Sequence, residues 1–236
     1  MKLVIVAGPP AEGKTSVIKR IVSNLKSEMK IAFLKIDVVK AYEDDELKKE
    51  FGIITKKIYS GDLCPDHAGV MVMGDAIKWA EDNNTDLFIV ESAGLCLRCA
   101  PYLNHGLGIV VLSSISGIHA PEKMGAIVSL ADVAVVTKID LISQAEREVF
   151  IQKIKDLHPH ITLMETNALQ GTLLKRLYDL IRQSPEIVND DLVLKGNPPL
   201  GTCTICVGKK EIGWQHHFGV GKKLDGQIAD YLYRGE

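Results

Sequence analysis

The chain has 236 residues, 46% apolar and 25% charged, and 28 Lys and Arg against 30 Asp and Glu leave a net charge of -2. That balance supports a sizeable core and offers no basic footprint for nucleic acid or an anionic membrane. The longest apolar runs, Ile109–Leu112 and Val133–Val136, fall far short of the ~20 residues of a membrane span, and the N-terminal apolar segment is too short for an export signal, so a cytoplasmic location is expected.

In chain order, short apolar runs predict strands at about 2–7, 31–36, 86–91, 108–112, 133–137 and 161–164. Helical patterns alternate with them. The first strand is followed directly by Gly8-Pro9-Pro10-Ala11-Glu12-Gly13-Lys14-Thr15, a match to G-x-x-x-x-G-K-S/T. Ile18, Ile21, Val22 and Leu25 then recur at helical spacing. This order of strand, loop and helix is what a phosphate-binding loop needs, because backbone N–H groups and the helix N-terminus cradle the phosphates. Gly8, Glu12, Gly13, Lys14, Thr15 and Ser16 are the candidate nucleotide-binding residues, with Lys14 neutralising phosphate charge and the Thr15 hydroxyl on Mg2+. The expected fold is α/β, a mostly parallel sheet with helices on both faces, of the P-loop NTPase type.

The second strand ends at Lys35-Ile36-Asp37, which places Asp37 as a Mg2+ contact or water-orienting carboxylate, a turn cap being the plain alternative. Cys64-Pro65-Asp66-His67 precedes a helical segment containing Val72, Ala76, Trp79 and Ala80. The next strand ends in Glu91-Ser92-Ala93-Gly94, where a carboxylate can hold Mg2+ through water and Gly94 lets backbone approach the γ-phosphate. Cys96 and Cys99 follow at once.

Thr137-Lys138-Ile139-Asp140 ends a later strand and matches a guanine-recognition pattern. The Asp140 carboxylate can accept from two donors that guanine has and adenine lacks, and the Lys138 stem can cover the ring. Asn167, Ala168 and Leu169, after the following strand, are placed to touch the base. GTP is favoured over ATP. Ser143 and Glu146 read as a capping box opening a helix with Phe150, Ile154 and Leu157 on its core face. Leu173, Leu174, Leu177, Leu180 and Ile181 mark another helix.

Beyond residue 184, prolines and glycines interrupt the periodicity. The reading is a nucleotide-binding domain over 1–184 and an extension over 185–236, irregular or β-rich, packed on it. Of five cysteines, Cys96, Cys99, Cys203 and Cys206 form two C-x-x-C pairs. Without an export signal these point to metal, cluster or redox chemistry, not to a disulfide framework. Two pairs can build a four-cysteine site for Zn2+ or a 4Fe–4S cluster, with Cys64 and His67 as further soft ligands for Zn2+ or Ni2+. A redox-active disulfide is the competing reading. His216 and His217 read as solvated or backbone-capping, with metal ligation as the alternative.

Taken together, these motifs resemble the nickel-insertion GTPases of hydrogenase and urease maturation, the HypB and UreG proteins, within the wider metallochaperone group that includes CobW-type proteins. The resemblance covers roughly residues 1–185. It rests on the plain loop Gly8–Thr15 without a second lysine near its start, on Asp37, and on the Glu91–Gly94 switch. Cys64-Pro65-Asp66-His67 occupies the place of the family's Cys-Pro-His motif with one residue inserted, and Cys96 and Cys99 stand near a cysteine of the hydrogenase-type members. The resemblance implies a homodimer formed on GTP binding, a metal site at its interface and a metalloenzyme client that receives the ion after hydrolysis. Residues 185–236 and their C-x-x-C lie outside the family pattern. A small-molecule kinase on the same loop, and a nucleotide-gated chaperone of a metallo- or corrinoid enzyme with no metal of its own, are the alternative functions.

Overall fold

Alternate residues of the strand Lys2–Ala7 (β1) feed two separate cores: Leu3, Ile5 and Ala7 pack on one side, Val4 and Val6 on the other. This is the period-2 pattern of a strand buried on both faces. A computed structural model describes residues 1–38, 42–94, 99–187, 191–198 and 208–231. In it β1 is joined by β2 (Ile31–Asp37), β3 (Ile54–Tyr59), β4 (Leu87–Ser92), β5 (Leu107–Ser113), β6 (Val133–Thr137) and β7 (Thr162–Glu165). They form one seven-stranded parallel sheet in the order β3-β2-β4-β1-β5-β6-β7.

Helices α1 (Lys14–Leu25), α2 (Glu43–Phe51) and α7 (Lys175–Gln183) cover the Val4 face through Ile18, Leu25, Leu47 and Ile181. The opposite face is covered by α3 (Pro65–Asp82), by α5 (Gly125–Ser129), which follows the single turn α4 (Ala120–Lys123), and by α6 (Gln144–Leu157). The parallel α/β arrangement expected from the alternation is therefore present, with β1 central and its loop at the C-terminal edge. The capping box of α6 forms as read, the Ser143 hydroxyl accepting from Glu146 N–H while Glu146 accepts from Ser143 N–H.

Two elements go beyond the sequence reading. Strand β3 (Ile54-Thr-Lys-Lys-Ile-Tyr) is an edge strand paired only with β2, so its two lysines stay near solvent and no continuous apolar run marks it. Helix α2 buries only Asp44 and Leu47. Its four acidic residues in the first turn and Lys48 and Lys49 in the last complement the helix dipole instead. One expectation is corrected: Leu173 is not on the core face of α7. It is 71% exposed at φ 62, and the helix begins two residues later at Lys175.

The segment beyond 184 runs back across the α3 side. Leu194 bridges to Leu103 and Val193 to Glu211, and a hairpin of β8 (Gly219–Lys222) and β9 (Ile228–Tyr231) follows. Trp214 joins the α3-side core, its indole N–H donates to Asp75 at 3.0 Å, and Gly213 N–H donates to the Val70 carbonyl at 3.0 Å. Cys96, Cys203 and Cys206 lie outside the described residues. Trp214→Ala removes a buried indole worth about 3 kcal/mol and is expected to speed protease cutting within 208–231 roughly hundredfold. Equal protease resistance in variant and parent would mean the indole does not hold this segment.

Candidate functional site

The C-terminal ends of β1, β2, β4 and β6 open onto a cavity of about 860 Å3. Its wall includes Gly13, Lys14, Thr15, Ser16, Asp37, Glu91, Lys138, Asp140, Asn167, Ala168 and Leu169. Eleven residues from five separate stretches of sequence thus meet in one place, at the strand ends where parallel α/β sheets bind ligands.

The loop is braced from three strands. The Glu12 carboxylate accepts from Ser113 N–H, and from the Ser116 hydroxyl at 2.6 Å. The Thr137 hydroxyl donates to the Glu12 carbonyl at 2.6 Å, and Lys138 Nζ to the Ala11 carbonyl at 2.8 Å. Glu12 therefore turns away from the cavity and ties the loop to the ends of β5 and β6. Gly94 presses on the start of the loop. At φ 61, a Cβ there would stand 2.5 Å from the Gly8 carbonyl oxygen, so this position requires glycine. Gly8, Glu12 and Gly94 shape the loop without lining the cavity.

Lys14 Nζ is buried and bonded to the carbonyls of Gly8 (2.7 Å) and Pro9 (2.8 Å). Burial pushes its pKa below the ordinary lysine value, against the opposing pull of Glu91. A buried ammonium held only by neutral carbonyls is well placed for an incoming anion.

Glu91 is 1% exposed, yet two groups satisfy it. The Thr15 hydroxyl stands 3.2 Å from both carboxylate oxygens, and Lys35 Nζ stands 2.7 Å from Oε1. Lys35 also reaches Asp37 at 3.4 Å and Glu43 at 3.6 Å. Burial alone would lower the Lys35 pKa, but the charge and hydrogen bond of Glu91 hold it above the usual value. Sequence reasoning passed over Lys35. Its signal was a lysine within the otherwise apolar run Ile31–Ile36, opposite Glu91 in the β2–β4 register.

Adjacent strand residues face opposite sides of the sheet. Glu91 continues the α1-side ladder of Leu87 and Ile89, whereas Ser92 continues the α3-side ladder of Phe88 and Val90. There the Ser92 hydroxyl donates to Asp66 Oδ1 at 2.7 Å. Asp66 is buried in the first turn of α3, between Cys64 and His67.

Cys64, Asp66, His67, Cys99 and His217 line a second, small cavity on this side. Among the described residues, no three His, Cys, Asp or Glu side chains converge at the spacing of metal ligands. His67 Nε2 lies 3.1 Å from the Phe218 carbonyl and His217 Nε2 2.7 Å from the Glu211 carbonyl. Burial lowers the His67 pKa. It also lowers that of His217, to about 4, with the neighbouring histidines adding to the effect. His217 thus caps a backbone carbonyl as read, but is buried instead of solvated.

The family model described as "CobW/HypB/UreG, nucleotide-binding domain" matches residues 2–165, which hold both the Gly8–Thr15 loop and the Glu91–Gly94 segment. The chain belongs to the CobW/HypB/UreG family. Over 239 aligned positions it is 38% identical to an uncharacterized protein of Methanocaldococcus jannaschii, covering 100% of both chains. The crystal structure of the hydrogenase maturation factor HypB from Archaeoglobus fulgidus superposes with a TM-score of 0.63 at 25% identity, over 77% of this chain and 89% of that one. HypB from Helicobacter pylori in complex with nickel gives 0.63 at 18% identity, over 80% and 90%. In this CobW/HypB/UreG chain, Cys64 and His67 fall within the matched residues, while His217 comes from outside them. No helix among the described residues is long and apolar enough to cross a membrane.

Leaving Glu91 buried without its cation should be costly. Lys35→Met is expected to lower stability by about 3–5 kcal/mol in urea unfolding, and Lys35→Met with Glu91→Leu to recover most of that loss. A small loss in the single variant, or no recovery in the double, would show that the pair does not govern this strand end.

Proposed function

We propose that this chain is a GTP-hydrolysing metallochaperone that couples its nucleotide cycle to a soft metal ion, nickel or zinc, held at Cys64, His67 and Cys99. As part of that reading it acts as a nucleotide-dependent homodimer and passes the ion to a metalloenzyme client. The observation that carries the proposal is the Glu91–Ser92 step. Glu91 bonds the Thr15 hydroxyl of the phosphate loop, and the next residue bonds Asp66 between Cys64 and His67. A change in what Glu91 holds is then felt one residue later on the opposite face of the sheet. Family membership and the thiol and imidazole donors support the same reading.

The Thr15 hydroxyl with the carboxylates of Glu91 and Asp37 is a hard-oxygen set that suits Mg2+, which usually takes one or two carboxylates and completes its shell with phosphates and water. Bound there, the ion would neutralise phosphate charge. Lys14 would exchange the Gly8 and Pro9 carbonyls for phosphate oxygens, and Asp37 would orient the attacking water. Asp140 at the cavity wall supplies the acceptor pair for guanine, and Lys138, tethered to the Ala11 carbonyl, lies beside it.

Asp140→Asn tests the base. It replaces one of two acceptors with a donor, so GTP affinity should fall by roughly 100-fold or more while xanthosine triphosphate gains affinity. Equal ATP and GTP affinity in the parent would sink the guanine reading.

Ser92→Ala tests the coupling. In the parent, a nonhydrolysable GTP analogue should change Ni2+ or Zn2+ affinity by about tenfold, and the variant should bring that ratio close to one. A parent whose ion affinity ignores nucleotide would overturn the proposal. Iron and sulfide in anaerobically purified protein would replace the single ion with a 4Fe–4S cluster held by the two C-x-x-C pairs, Cys96, Cys99, Cys203 and Cys206.

A further inference from the structure

Four soft donors line one pocket of about 30 Å3: Cys64 and His67 at the start of α3, Cys99 ahead of β5, and His217 from the C-terminal segment. The space suits a single ion or water. Each imidazole points its Nε2 at a backbone carbonyl, of Phe218 for His67 and of Glu211 for His217. A carbonyl can only accept, so each Nε2 carries the proton and each Nδ1 keeps its lone pair. Metal-binding histidines are commonly oriented in this way, one ring nitrogen donating to a carbonyl and the other ligating.

The ring centroids are 5.1 Å apart. Two imidazoles on one tetrahedral ion, at metal–nitrogen distances of about 2.0–2.1 Å, place their centroids about 5 Å apart. The rings therefore already stand at the spacing of a shared ion. The thiols do not complete the set in this conformation, since no three such donors among the described residues converge. Filling the site has to draw the Cys64 and Cys99 sulfurs toward the histidine pair.

We propose that His217 is an intrachain ligand completing a two-histidine, two-cysteine site with Cys64, His67 and Cys99 for a borderline-soft divalent ion such as Zn2+ or Ni2+. The inference rests on the reading of Cys64 and His67 as ion ligands and adds the C-terminal segment to their site. Charge balance favours it: two neutral imidazoles and two thiolates neutralise the dication, and the two other charged residues that line the pocket, Asp66 and Lys209, are of opposite sign. Each thiol gives up its proton to solvent as its sulfur binds, so loading releases two protons per ion. The loaded ion ties residues 208–231 to α3, and handing it to a client requires this segment to lift.

The test uses the full chain, labelled with 15N-histidine and titrated with Zn2+. Two histidines, His67 and His217, should show the Nδ1 shift of a ligated nitrogen. In a chelator competition, H217Q should bind Zn2+ roughly a hundredfold more weakly. Trp214→Phe, which loses the Asp75 bond but keeps every ligand, should change affinity far less. A bound Zn2+ with only His67 shifted, or an H217Q affinity equal to the parent's, overturns this inference and leaves the metallochaperone reading standing. Failure of the parent to bind Zn2+ or Ni2+, or binding that survives Cys64→Ser with His67→Gln, overturns both.

Discussion

Glu91 places a negative charge where almost no water reaches it, at the C-terminal end of a strand flanked by two others. An isolated carboxylate there would cost several kcal/mol, and the fold avoids that cost by setting Lys35 opposite it in the β2–β4 register and Thr15 above it. Other features follow from this contact. It pins β2 against β4, since a one-residue slip would carry Lys35 to the opposite face of the sheet. It also orients the first turn of α1, because the Thr15 hydroxyl is bonded to the same carboxylate. And it gathers Asp37 and Glu43 around one ammonium, so that a loop, two strand ends and the start of α2 meet in one electrostatic cluster.

The phosphate loop is held as a cradle with one adjustable group. Its backbone is fixed by Glu12 to β5, by Thr137 and Lys138 to the end of β6, and by the close approach of Gly94 to Gly8. Lys14 is different. Its two partners are carbonyls of the loop, and an ammonium gains more from phosphate oxygens than from neutral acceptors. Because Gly94 contacts the loop backbone directly and Glu91 contacts its threonine, the end of β4 and the loop cannot shift independently.

Much of this was legible in the sequence, because strands buried on both faces write themselves as unbroken apolar runs and the loop motif fixes its own context. The six strands read from such runs all formed. Strand β3 escaped because an edge strand needs only half its residues apolar, and α2 because its stability comes from charge placement and one leucine. In the site, glycine, lysine and aspartate motifs announced themselves through spacing. Lys35, Ser92 and Asp66 did not, since their partners are distant in sequence and their chemistry depends on which face of a strand or turn of a helix they occupy. His217 was visible as a residue but not as a neighbour of His67, 150 positions earlier. That proximity comes from Trp214 and Gly213 docking the tail on α3.

The connection between the two cavities is short, and its size is sufficient for a switch. Coupling between sites in allosteric proteins typically amounts to about 1–3 kcal/mol. A buried hydrogen bond from a hydroxyl to a carboxylate contributes roughly 1.5–3 kcal/mol. The Ser92–Asp66 bond at 2.7 Å is of this kind, so under the proposed coupling this one interaction is large enough to account for the effect without a longer relay. The residue that accepts it, Asp66, lies in the first turn of α3 between Cys64 and His67. The residue that separates Cys64-Pro65 from His67 is therefore also the one through which the end of β4 touches this turn.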